Sequence, residues 1–261
     1  MRELVSMWGN TRMVVLTAVT AALYSAILIP FKVIPLIPGV TELRPANAVP
    51  IVCSFLFGPA AAWGAAIGNV IGDFFGGFGP GDVFGFIGNF LYALVPYKVW
   101  AATGGGRPVP RAAAGWWLRF GAVVCLASLL CATVVGWGLN LLGFHPFSLL
   151  APVVLFNNAV SAFLLAPPLL YAVHSRVAGA RLLYDDMLPI AAPSLPRRWL
   201  GTALVVTGAA AAFIAGLALS LGRWQPAWLP ETLPSGGTHA LVVGLGVPPF
   251  LLLAILGLWL L

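Results

Sequence analysis

Long apolar blocks alternate along this chain with short connections rich in proline, glycine and arginine. Hydropathy predicts eight candidate spans, at 13–30, 46–57, 59–75, 83–102, 116–142, 149–173, 199–221 and 240–261. Without water in a hydrocarbon core, each run must satisfy its own backbone groups, and runs of about 20 apolar residues do so as helices. The alternation in segments of about 10 residues that marks a membrane barrel is not visible. The pattern therefore predicts an all-α integral membrane protein. The second block is too short to cross alone. Its flanks, "RPANAVP" and "FGPAAAW", predict a proline break at its start and a tight turn at its end.

Polar residues inside these blocks carry the functional signal. In "WGAAIGNVIGDFFGGFGPGD", residues 63–82, Gly64, Gly68, Gly72 and Gly76 recur every fourth residue, with Asn69 and Asp73 one position along. Residues four apart share a helical face, so the glycines form a groove for a close neighbour. The next block repeats the design in "DVFGFIGNF", with Asp82, Gly85 and Asn89. An ionised Asp in hydrocarbon costs about 2.5 to 3.5 kcal/mol on insertion scales, so Asp73 is expected to face a protein-lined cavity or the outer interface.

Other polar residues extend that set: Asn157 and Asn158 in "VVLFNNAVSAF", Asn140 and His145 in "GLNLLGFHPF", and Lys32, Glu42, Arg44 and Asn47 in "PFKVIPLIPGVTELRPANAVP". Prolines 30, 35, 38, 45 and 50 stiffen this last segment into a predicted flap. The sequence thus predicts an outer cavity edged by Glu42, Arg44, Asn47, Asn69, Asp73, Asn89, Asn157 and Asn158, with Trp63 or Phe75 as an aromatic wall. Arg44 offers a fork of donors, the amides offer both donors and acceptors, and Asp73 is expected to accept from ring nitrogens. The competing reading is that Asn69 and Asn89 only bond each other between helices, worth about 0.6 kcal/mol and up to ~2.

Composition narrows the class. With 61% hydrophobic residues, 8% charged residues and a mean hydropathy of +0.99, the chain is no water-soluble globule. A net charge of +6 would point to nucleic acid in a soluble protein. Here the cations collect in three places: Arg2 and Arg12; Lys98, Arg107, Arg111 and Arg119; Arg176, Arg181, Arg197 and Arg198. They read as cytoplasmic markers, which puts both termini in the cytoplasm, the opposite connections outside and no nucleic acid among the partners. The first apolar run, with no cleavage pattern before it, is expected to remain as a span.

Catalytic patterns are missing. Cys53, Cys125 and Cys131 lie in apolar runs without metal spacing, and His145, His174 and His239 sit in separate connections. "TGGGRP" has no Walker lysine. No cofactor or metal is predicted and no enzymatic activity; Asp73 or Asp82 as a base lacks a partner group. The chain divides into a bundle at 1–175, a cytoplasmic linker at 176–198 and an additional apolar helix pair at 199–261 joined by "RWQPAWLPETLPSGGTH". Alternative readings are a structural or assembly protein and a stand-alone secondary transporter, although inverted repeats are not evident.

The order "TRMVVLTAVTAALYSA", a proline-bearing loop ending in Arg-Ala, "FGPAAAWGAAIGNVIGDFFGG" and "DVFGFIGNFLYALVPYKVW" resembles the membrane-embedded S-components of energy-coupling factor (ECF) transporters. It is most similar to the queuosine-precursor and related vitamin S-components, over roughly residues 10 to 175. The resemblance implies a six-helix substrate-binding bundle in the cell membrane that captures a vitamin or other micronutrient under its first and third outer loops. It also implies a transmembrane coupling subunit and two cytosolic ATPase subunits as partners, with the loaded subunit toppling during transport. In the family, small residues four apart on the first helix dock onto the coupling subunit; Ala18, Ala22 and Ala26 hold that spacing here. The helix pair beyond residue 198 exceeds the family pattern.

Overall fold

The computed structural model describes residues 1–37, 41–188, 193–224, 226–227 and 238–261. After a short helix α1 (Glu3–Ser6), the first long helix α2 (Thr11–Phe31) begins where Asn10 accepts from the Arg12 and Met13 amides. A small antiparallel hairpin follows, β1 (Pro35–Ile37) with β2 (Thr41–Glu42), pairing Pro35 with Glu42 and Ile37 with Thr41. The sequence reading held no strand here. Pro38 and its neighbours up to residue 40 lie outside the described residues, as do 189–192 of the linker and most of the connection before residue 238.

The chain then makes a 3-10 turn at Pro45–Asn47 and enters α3 (Ala48–Phe57), α4 (Pro59–Phe74) and α5 (Asp82–Ala102). The tight turn expected after the second block is Gly58, whose φ of +53° suits a residue without a Cβ. With 10 and 16 residues, α3 and α4 rise about 15 and 24 Å, short of a core about 30 Å thick. Six described helices or helix pairs are long and apolar enough to cross a membrane. The two short helices, read from sequence as spans two and three, are the exceptions.

Three long helices follow: α6 (Ala114–Leu141), α7 (Phe147–Gly179) and, after the single turn α8 (Tyr184–Met187), α9 (Leu195–Ser220). The final block is broken at Val247 into α10 (Thr238–Gly246) and α11 (Pro248–Leu260), because Pro248 cannot donate a backbone bond back into the preceding turn.

Glycine sets the helix approaches. A Cβ on Gly64 would lie 2.7 Å from the Thr17 carbonyl, and one on Gly68 would lie 2.8 Å from the Ala21 carbonyl, so the glycine ridge of α4 seats α2 backbone to backbone. The ridge thus does not join α4 to α5. Those two helices meet instead at Gly85, where a Cβ would come 2.9 Å from Asn69 Nδ2. Between α9 and α11, a Cβ on Gly208 would lie 2.5 Å from the Ala254 nitrogen. This pair packs onto α6 and α7: Trp137 donates to the Gly244 carbonyl at 3.1 Å and Ser220 bonds Ser148 at 3.1 Å. It leaves the outward face of α2, with Ala18, Ala22 and Ala26 exposed, uncovered.

Most cations gather at the bundle end formed by the start of α2, the end of α5, the start of α6 and the end of α7. Lys98 is an exception in kind. Grouped in the sequence with the arginines that follow the 83–102 block, it lies within α5, 5% exposed, with its ammonium 2.6 Å from Glu3 Oε1. Burial pushes the Glu3 carboxyl up, yet hydrogen bonds from Lys98 and the terminal ammonium, with the Lys98 charge, outweigh it and hold it at about 2.

Candidate functional site

The opposite end of the bundle holds a polar cavity of about 270 Å³. It lies where α2 and α4 end, α5 begins, and the flap returns to α3. Its deepest groups come from α4: Asn69 is 1% exposed and Asp73 6%. Asn69 Nδ2 donates to Asp73 Oδ2 at 2.6 Å, and Lys32, one residue past α2, donates to Asp73 Oδ1 at 2.7 Å. An aspartate with an ammonium on one oxygen and an amide on the other is a compensated charge, which is how it persists where water is scarce.

A second group of bonds ties the floor together. Tyr24, on the buried face of α2, points its hydroxyl at Asn47 Oδ1 (2.8 Å) and Asn89 Oδ1 (3.0 Å), and with one proton it donates to one of them at a time. Each of these amides also donates once: Asn89 Nδ2 to the Gly85 carbonyl at 2.9 Å, Asn47 Nδ2 to Asn158 Oδ1 at 2.6 Å, and Asn158 Nδ2 to Cys131 Sγ at 3.5 Å. Five segments of chain thus meet in one relay of amides that runs from a tyrosine to a thiol.

Asn157 holds the flap. Its Nδ2 donates to the Glu42 carbonyl at 2.8 Å and its Oδ1 accepts the Arg44 amide at 3.3 Å, so the side chain pairs with the flap backbone as a neighbouring strand would. The Arg44 guanidinium reaches Glu42 Oε2 at 3.2 Å. Two polar atoms remain buried without a partner here, Asn69 Oδ1 and Arg44 Nε. Such atoms are costly unless something bonds them, and they leave the cavity with one open acceptor and one open donor.

Of the residues expected from sequence, Glu42, Arg44, Asn47, Asn69, Asp73, Asn89, Asn157 and Asn158 all line this cavity. Trp63 does not. It stands at the far end of α4, donating to the Leu4 carbonyl at 3.0 Å and packing edge-on to Phe90 at 4.9 Å. The six-residue step from it to Asn69 rises about 9 Å along a helix, which is why sequence proximity misled. Phe75 is 68% exposed and lines nothing; the aromatic at the cavity is Phe144. Asn140 is spent on the start of α7, accepting the Phe147 amide at 2.9 Å, and neither it nor His145 borders the cavity. Sequence reasoning missed Tyr24, whose hydroxyl falls on the α2 face that buries Thr17, Thr20, Ala21 and Leu28, and it missed the role of Lys32 as partner to Asp73. Among the described residues no cluster of His, Cys, Asp and Glu could hold a metal ion.

The sequence profile of the family described as QueT transporter matches residues 14–175, from α2 through nearly all of α7. The chain belongs to the QueT transporter family. QueT proteins are S-components of ECF transporters, of the queuosine-precursor group, so this QueT chain is a multi-pass membrane protein with a role in transport. The matched residues contain every side chain of the cavity, while α9 to α11 lie beyond them. No curated protein matches the chain, and no solved structure does.

Proposed function

We propose that the chain is the cargo receptor of an ECF-type importer, taking a small micronutrient, with queuosine precursors first among the candidates, into the cavity at Asn69 and Arg44. The observation that carries this reading is the pair of buried, partnerless atoms, Asn69 Oδ1 and Arg44 Nε, facing a space of about 270 Å³. That volume sits near the small end of ligand pockets, about 300 to 1,000 Å³, and suits one heterocycle. The ligand supplies a donor to Asn69 and an acceptor to Arg44. Asp73, with both oxygens engaged, acts by fixing Asn69 and neutralising Lys32; the relay through Tyr24, Asn47, Asn89 and Asn158 fixes the floor before the ligand arrives. The flap that carries Glu42 and Arg44 closes over it, with Asn157 as its clasp.

The cavity end faces outward in this reading, because the opposite end bears the Arg-rich connections that mark the cytoplasm, and both termini with them. Residues 1–175 form the receptor unit in the cell membrane, 176–198 a cytoplasmic linker, and 199–261 an appended pair that braces α6 and α7. The exposed Ala18, Ala22 and Ala26 let the backbone of a transmembrane coupling subunit approach α2 closely, and two cytosolic ATPases supply the energy. In cells, uptake of labelled ligand requires coexpression of the coupling and ATPase subunits. Concentrative uptake by this chain alone overturns the assignment.

A further inference from the structure

A second cavity, of about 500 Å³, opens at the Arg-rich end, between the close of α5, the close of α7 and α8. Its floor is aromatic: Phe55 meets Trp100 edge-on at 5.2 Å, and Tyr97 lies 5.5 Å from Tyr184. Its wall is fixed by hydrogen bonds. Trp100 donates to the Gly106 carbonyl at 2.8 Å, Arg119 to the Gly104 carbonyl at 3.2 Å, and Arg198 Nε to the Ala102 carbonyl at 2.7 Å.

The polar groups around this floor are unspent. His174, 6% exposed, lines the cavity with its Nε2 buried and unpartnered. Arg107, Asp185 and Asp186 stand exposed on the rim, and none forms an ion pair among the described residues. Two carboxylates against one guanidinium disfavour a simple anion, although the surrounding bundle end is basic. Tyrosine faces beside carboxylates suit an ammonium, and an arginine with an imidazole whose open nitrogen can carry a proton suits a phosphate oxygen. At the end of a membrane bundle, both charges occur together in an aminophosphate head group.

We infer that this cavity binds a zwitterionic aminophosphate, its ammonium on Asp185 and Asp186 and its phosphate on Arg107 and His174. The source is either a bilayer phosphatidylethanolamine or a free phosphoethanolamine.

The test uses the delipidated full chain in maltoside micelles, with native mass spectrometry to count bound molecules. Phosphatidylethanolamine is expected to bind at one copy per chain, and phosphatidylglycerol, which lacks the ammonium, to bind at least about 10-fold more weakly. D185N/D186N and R107Q change exposed rim residues, so the fold survives them, and each is expected to weaken binding about 10-fold or more, as loss of a charge-assisted bond implies. H174Q, which probes the buried nitrogen, is expected to weaken it as well. Binding of soluble O-phosphoethanolamine at similar affinity supports the site with the head group as sole determinant; binding of the lipid alone supports it with the acyl chains contributing. Equal binding of the two lipids, or unchanged affinity in both rim variants, overturns the proposal.

Discussion

Asn69 donates to Asp73 from the preceding turn of α4 at 2.6 Å while Lys32 holds the other carboxylate oxygen at 2.7 Å, so the acid in the cavity is engaged before any cargo arrives. The carboxylate therefore builds the site, and the amide it orients offers the free acceptor. With both side chains of the ion pair only 9% exposed, removing one leaves a buried charge alone. D73A is expected to destabilise the fold by about 3 to 5 kcal/mol and to lower the yield of monodisperse protein. K32Q/D73N, which removes both charges, recovers most of that yield in fluorescence-detected size-exclusion chromatography.

Two glycines separate packing from binding. A Cβ at position 68 meets the Ala21 backbone, oxygen at 2.8 Å and Cα at 3.1 Å, which yields only if α2 and α4 part. G68V is expected to cost about 1 to 3 kcal/mol or more. At position 85 the Cβ meets the Asn69 amide instead, and side chains can turn aside. G85A then leaves yield near wild type and raises the ligand Kd about 10-fold, as measured by equilibrium binding.

Loosening the flap shows in kinetics. N157L deletes the bonds to the Glu42 carbonyl and the Arg44 amide, each worth about 1 kcal/mol. Ligand release accelerates about 10-fold in a stopped-flow chase, with association changed much less.

The other end of the molecule responds to acid. Glu3 is held at about 2, below its ordinary value of 4.5, so its bond to Lys98 contributes fully above 4.5 and is lost as pH falls through 2. Wild type and E3Q are expected to differ in thermal midpoint at pH 7, and the gap is expected to close between pH 4.5 and 2. A gap independent of pH across that window contradicts the assignment of Glu3 as a buried anion.

The periodic features of the chain were legible in its sequence. The four-residue spacing in α4 announced a glycine face with Asn69 and Asp73 beside it, and the apolar block lengths announced the long helices within a few residues. What was not legible depends on depth and partner choice. Trp63 and Asn69 share a helix, but the rise between them separates its two ends. Tyr24 reads as one more aromatic in an apolar run until Asn47, from the 3-10 turn before α3, and Asn89, from α5, arrive to meet its hydroxyl. Lys32 looks like a loop charge until the end of α2 is set against the end of α4. The second block was legible as too short to cross, as α3 is, whereas the third read as a full span although α4 stops at 16 residues.

In the proposed function, Asn69 Oδ1 waits in a preformed cavity for a ligand donor. Equilibrium binding of queuosine-precursor bases to the purified full chain, wild type against N69A, tests it most directly. One saturable site per wild-type chain is expected, with a Kd at least about 10-fold higher in N69A at equal folded yield, the loss that follows when a buried hydrogen bond to the ligand is removed. Equal affinity in the two proteins would contradict it.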